Sequence, residues 1–211
     1  GKHHYLIGND TRNSSDVDLD TRLEQLLSEK MHGISFSAYG KGQKPGDQVT
    51  LDQVKHRMAS LASRFNWVRS FSTTQGNEHI PRAAHSMGMK TLVGAWLGKD
   101  ADKNRLEIEN LIALANEGVV DVAAVGNEVL YRGDLTEEEL LNFIRKAKKE
   151  IKGVPIGYVD AYYEFADRPA ITDICDVIYA NCYPFWEGCS QEYSLLYMKD
   201  MYHRAKRAGN G

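Results

Sequence analysis

Long apolar runs are missing from this 211-residue chain: none approaches the roughly 20 residues that a membrane-crossing helix needs. The opening residues also lack the basic-then-apolar pattern of a secretory leader. Because residue 1 is Gly rather than Met, the start is expected to be processed or engineered, with His3 and His4 as the end of a tag, and no compartment is assigned. Charge of one sign is missing too. Lys and Arg number 26 against 29 Asp and Glu, a formal net charge of -3, and the longest basic cluster, Lys146 to Lys149, falls at a helix end where it complements the dipole. Neither nucleic acid nor a membrane is therefore expected as a partner.

Cysteine is scarce as well. Cys175, Cys182 and Cys189 are each seven residues apart. An odd spacing along a strand puts Cys175 and Cys182 on opposite faces, which argues against a disulfide or a joint metal site between them. The seven histidines contain no His-Glu-x-x-His pair. The glycine-rich segment from Gly40 to Gly46 matches neither G-x-G-x-x-G nor a Walker sequence, and Pro45 removes an N–H that a phosphate would use. No metal and no organic cofactor is expected.

What is present is one core's worth of apolar residues, 42% of the chain against 26% charged, the balance of an ordinary globular protein. Residues 1–30 are polar and read as an N-terminal extension, with Leu23, Leu26 and Leu27 at the spacing of one short helix. Residues 31–211 then repeat a strand–helix pattern and read as one barrel-type domain. Strands are expected over Met31 to Tyr39, Trp67 to Phe71, Lys90 to Leu97, Val119 to Leu130, Pro155 to Val159 and Asp176 to Cys182. Helices follow each, with capping boxes at Thr50 and Thr136 and a Gly118 stop; the segment from Tyr162 to Asp173 reads as loosely helical. Six apolar strands separated by helices imply a parallel sheet covered on both faces. Six units suit a doubly wound sheet or part of a (β/α)8 TIM barrel.

In both architectures chemistry gathers at the C-terminal strand ends. There the chain places Tyr39, Arg69, Trp96, Asn127-Glu128, Asp160, and the run from Asn181 through Tyr183 to Trp186 and Glu187. Glu128, flanked by Val125, Val129 and Leu130, is expected to be poorly solvated, which suits a proton donor. Aromatic faces with amides, a guanidinium and carboxylates converging on one end describe a sugar site, because rings pack on pyranose C–H faces while amides and carboxylates bind hydroxyls. Asp160 and Asn181 belong to that expected substrate-binding set.

From Met31 onward the chain resembles glycoside hydrolase family 17, on Tyr39-Gly40, Val68-Arg69, Gly94-Ala95-Trp96, Val125-Gly126-Asn127-Glu128 and Asn181-x-Tyr183-Pro184-Phe185-Trp186. The resemblance implies a (β/α)8 TIM barrel acting on β-1,3-glucan oligosaccharides by a retaining mechanism. It implies Glu128 as general acid/base, Asn127 on the sugar 2-hydroxyl, Tyr183 near the nucleophile, and Tyr39, Arg69, Trp96 and Trp186 lining or supporting the cleft. The family's nucleophile segment, Thr-Glu-Thr-Gly-Trp-Pro-like after strand seven, does not occur in these residues. The barrel is thus expected to be truncated to about six units and weak or inactive, through a shortened or cleaved chain or through two copies sharing a barrel. Open strand edges and interior Ile34, Phe36, Val177 and Ile178 are expected to favour a homo-oligomer. The alternative is a non-catalytic glucan-binding or scaffold protein that keeps the cleft without the reaction.

Overall fold

A computed structural model describes residues 28–209, together with residues 20, 21 and 23–25. The expected N-terminal extension therefore lies largely outside the described residues. Six parallel strands are hydrogen-bonded in sequence order: β1 (Met31–Ser35), β2 (Phe65–Ser70), β3 (Lys90–Ala95), β4 (Val122–Asn127), β5 (Ile156–Ala161) and β6 (Val177–Asn181). A doubly wound sheet reverses its strand order part-way. This one does not, and the architecture is that of a (β/α)8 barrel built through six units.

The helices begin and end where local chemistry dictates. Thr50 accepts the Gln53 N–H at 3.2 Å to open α1 (Leu51–Ala62). A shorter helix, α2 (His79–Ser86), follows β2. Asp100 accepts the Lys103 N–H at 3.0 Å to open α3 (Ala101–Glu117), which stops at left-handed Gly118. Thr136 and Glu139 form a reciprocal capping box at the start of α4 (Glu137–Glu150). The loosely helical segment resolves into α5 (Glu164–Asp167) and α6 (Pro169–Ile174), broken at Arg168 before a proline that cannot continue a helix. A short 3-10 turn, Gln191–Tyr193, leads into α7 (Ser194–Ala208).

The main core lies between the sheet and the helices, where Val93, Ala95, Val125, Ile156 and Tyr158 meet Ile108, Leu111, Leu140 and Ile144. A smaller layer, Leu92, Ala124 and Val159 with Val122 and Tyr179, fills the concave face. His32, Ile34, Trp67, Arg69 and Leu92 share a cavity of about 350 Å³ with Tyr179 of β6. Side chains from the first and sixth strands can meet this way only if the sheet curls. Ile178, expected on the interior, instead packs outward against Met201 and Ala205 of α7, and Tyr179 takes the concave side. Phe36 likewise lies beyond β1 in the cluster with Val54 and Met58. Among the described residues β1 and β6 are the unpaired edges of the sheet.

Candidate active site

The centre of the site is a distortion in β4. The β4–β5 register shifts between Ala124 and Asn127, and Gly126 sits at φ 89. A side chain there would be strained twice, because its Cβ would also lie 2.8 Å from Val129 Cγ2. Such a bulge re-aims the residues that follow it. Glu128 comes next at φ 53, a left-handed conformation that costs a non-glycine residue roughly 1–2 kcal/mol. Neighbouring bonds hold it there: its N–H donates to Val159 O at 2.8 Å, and its carbonyl accepts the Arg132 N–H at 2.9 Å.

The Asn127 and Glu128 side chains of this turn are each fixed from a different strand. Arg69 of β2 donates to Asn127 Oδ1 at 2.5 Å, and Asn181 of β6 donates to Glu128 Oε1 at 2.7 Å. Burial pulls the Arg69 guanidinium below its ordinary range, while the nearby Tyr183 and Glu128 act in the opposite sense. Tyr183 is raised, first by burial and then by the Glu128 charge. Glu128 itself is half-buried and lines a cavity of about 360 Å³ with Tyr131, Asn181, Tyr183, Trp186 and Glu187. Trp186 is 79% exposed, so its ring is presented to solvent rather than used for packing. Val125, Val129 and Leu130 do not enclose the Glu128 carboxyl as expected; they belong to the core with Leu140 on the helix side of the sheet.

Tyr39 and Trp96 line a neighbouring cavity of about 370 Å³, together with Phe71, Gln75, Asn77 and Lys103. The structure thus brings Glu128, Asn181, Tyr183 and Trp186 to one cavity wall, and Tyr39 and Trp96 to the next. Arg69 stands behind them on the concave face with Asn127 on its guanidinium. Asp160 is placed elsewhere. It is fully buried on the side of Tyr158, whose hydroxyl donates to it, and its carboxylate accepts N–H groups of Tyr131 at 3.4 Å and Ala161 at 2.7 Å. Its position is under the Glu128 turn, not on the cavity wall.

Three participants were not singled out from sequence. Arg132 lies 4.7 Å above the Trp96 ring, donates to Leu97 O at 2.8 Å and to Asn127 O, and pairs with Asp134 at 2.7 Å. Only its proximity to Glu128 in the chain hinted at a role. Tyr131, in the segment between β4 and α4, lines the Glu128 cavity. Glu107 is fully buried within α3, and its signal was a carboxylate on the helix face shared by Asn104, Ile108 and Leu111. Among the described residues no group of three or more His, Cys, Asp or Glu is placed to hold an ion.

Residues 33–211 match the model of the BtgE/BtgC glycoside hydrolase domain. The chain belongs to that family. Glucan 1,3-β-glucosidase BGL2 of Candida albicans is 30% identical over 157 residues, 64% of this chain and 51% of that protein. The glucan endo-1,3-β-glucosidase btgC of Emericella nidulans is 25% identical over 201 residues, 85% of this chain and 31% of that protein. An active-site mutant of Rhizomucor miehei β-1,3-glucanosyltransferase in complex with laminaritriose superposes with a TM-score of 0.75 at 26% identity, covering 87% of this chain and 69% of that one. A glycoside hydrolase family 17 β-1,3-glucanosyltransferase from Rhizomucor miehei superposes equally well, with a TM-score of 0.75 at 26% identity over 86% of this chain and 68% of that one, so the BtgE/BtgC glycoside hydrolase domain is family 17-like. The chain spans about half the length of the first curated relative it matches.

Proposed function

We propose that this BtgE/BtgC domain binds β-1,3-glucan oligosaccharides across its two neighbouring cavities, with Glu128 as the general acid/base of a retaining reaction. The observation that carries this reading is the Glu128 carboxylate, hydrogen-bonded by Asn181 and facing an aromatic-walled cavity at the C-terminal strand ends. In the retaining reaction Glu128 protonates the departing glycosidic oxygen while a second carboxylate attacks the anomeric carbon; Glu128 then deprotonates the water that releases the sugar. Asn127, held by Arg69, supplies an amide for a sugar hydroxyl, and Trp186 and Tyr183 offer ring faces. The second carboxylate in such a reaction lies about 5–5.5 Å from the first. Glu187 shares the cavity, but it is engaged by Tyr197 at 2.5 Å and Tyr162 at 3.4 Å, and no Thr-Glu-Thr-Gly-Trp-Pro-like segment occurs in the sequence. These 211 residues are therefore proposed to bind glucan with little turnover by themselves, which also favours a second reading as a glucan-binding module.

Titration calorimetry with laminaritriose tests the binding. We expect a dissociation constant in the millimolar range or tighter, weakened about tenfold in Trp186→Ala through loss of one stacking face. Glu128→Gln should bind as well as the parent and abolish whatever hydrolysis the parent shows. No binding at millimolar concentration overturns the glucan reading; hydrolysis that survives Glu128→Gln moves the acid to another residue. Pairing of two copies through β1 and β6 is part of the proposal, and a cooperatively folded monomer at the composition mass of 23.8 kDa would sink it.

A further inference from the structure

Glu107 is a full-length carboxylate in the middle of α3, with no exposed surface. Burying such a group costs several kcal/mol unless its oxygens are satisfied, and here they are. Oε1 accepts the hydroxyls of Ser72 at 2.5 Å and Thr74 at 2.7 Å; Oε2 accepts the Thr73 N–H at 2.8 Å, the Thr73 hydroxyl at 2.9 Å and the Trp96 N–H at 3.1 Å. Every partner can donate, which suits an acceptor-only carboxylate with about four lone-pair sites. The Thr73 hydroxyl also lies 2.8 Å from the Glu107 carbonyl, and Asn110, one turn along the helix, donates to Thr73 O at 2.8 Å.

Two of these partners reach the cleft while Thr73 and Thr74 are buried. Ser72 and Trp96 line the cavity beside Glu128, and they come from the ends of different strands, β2 and β3. One carboxylate therefore fixes two loops of the cleft to one helix. The connection continues toward Glu128: the Trp96 ring is covered by Arg132, whose guanidinium binds the carbonyls of Leu97 and Asn127.

We propose that Glu107 is a positioning residue of the glucan cleft, setting the Ser72–Thr74 loop and the Trp96 ring so that the cavity wall beside Glu128 is formed before any sugar arrives. This rests on the glucan reading above, and the test separates the two. Fluorotryptophan-labelled protein gives fluorine NMR signals from its three tryptophans, that of Trp96 being assigned with Trp96→Phe. Glu107→Leu removes the acceptor at similar length and leaves the Thr73 and Trp96 N–H groups unpaired. It should shift the Trp96 signal and weaken laminaritriose binding about tenfold. Glu107→Gln can accept both N–H groups through its amide oxygen while the Ser72 and Thr74 hydroxyls turn to accept from its nitrogen, so it should restore both readouts to within about twofold.

If Glu107→Leu does not fold, the double variant Ser72→Ala, Thr74→Val, which strips the donors from Oε1, should shift the same signal. An unmoved Trp96 signal in folded Glu107→Leu, or in the double variant when that protein fails to fold, overturns the proposal. So does a leucine variant that binds as tightly as a parent that does bind. A parent that does not bind laminaritriose overturns the glucan reading alone, because the Trp96 signal still reports on the positioning.

Discussion

Gly76→Ala is expected to destabilise the domain by about 3–5 kcal/mol, the sum of an overpacking cost and a backbone strain cost. The Cβ that alanine adds would lie 1.9 Å from Val49 O and 2.8 Å from Val49 C, both backbone atoms, and residue 76 stands at φ 86. No rotamer relieves a contact with backbone. The close approach exists because the Val49 N–H donates to Gln75 O at 3.0 Å, tying the segment before α1 to the loop after β2. Gln75 itself is held at φ 59 and lines the cavity beside Trp96 with Pro45 and Gly46. Thermal unfolding should therefore shift down by roughly 10 °C in a domain of this size. A shift of less than about 2 °C would show that the two segments separate freely, and that the wall they form is not rigid.

Asp160→Ala should cost a comparable amount, about 3–5 kcal/mol, by a different route. The substitution leaves the Tyr158 hydroxyl and the N–H groups of Tyr131 and Ala161 without their acceptor in a buried site. Tyr158 also accepts the Leu130 N–H at 3.0 Å, so both anchors lie directly under the Glu128 turn. Urea unfolding reads the loss of stability.

The same residue gives a pH signature. Burial raises the Asp160 carboxyl above its ordinary range, with hydrogen bonds from Tyr158, Ala161 and Tyr131 opposing. A group that holds its proton more tightly folded than unfolded contributes stability that is full below the unfolded value, near pH 3.9, and is lost as pH rises through the folded value. The parent should therefore lose stability across that window relative to Asp160→Asn, which cannot titrate. Parallel stability–pH curves for the two proteins would show that Asp160 has no raised value.

Much of this organisation is legible in the chain. Thr50, Thr136 and Gly118 carry their capping chemistry locally, and all six strands lie where apolar runs place them. Asn127-Glu128, Tyr183 and Trp186 could be assigned to one mouth because a parallel βα repeat puts every strand's C-terminal end on the same side. Glu128's surroundings could not be assigned in the same way. Its apolar neighbours in sequence, Val125, Val129 and Leu130, turn to the helix side, and the carboxylate finds Asn181, 53 residues away, instead.

Along β5 and β6 each face of the sheet is covered, so the strands carry apolar residues at successive positions and no alternation marks inward from outward. The one-residue choice that sends Asp160 beneath the Glu128 turn, Ile178 onto α7 and Tyr179 into the concave face is set by the curl of the sheet and the packing of the helices. Local sequence carries the number, type and order of the elements, while β1 stops at Ser35 instead of Tyr39 and β4 spans Val122–Asn127 instead of Val119 to Leu130. The facing of each side chain, and with it the burial of Glu107 and Asp160 under the cleft, comes from residues far apart in the chain being brought into contact.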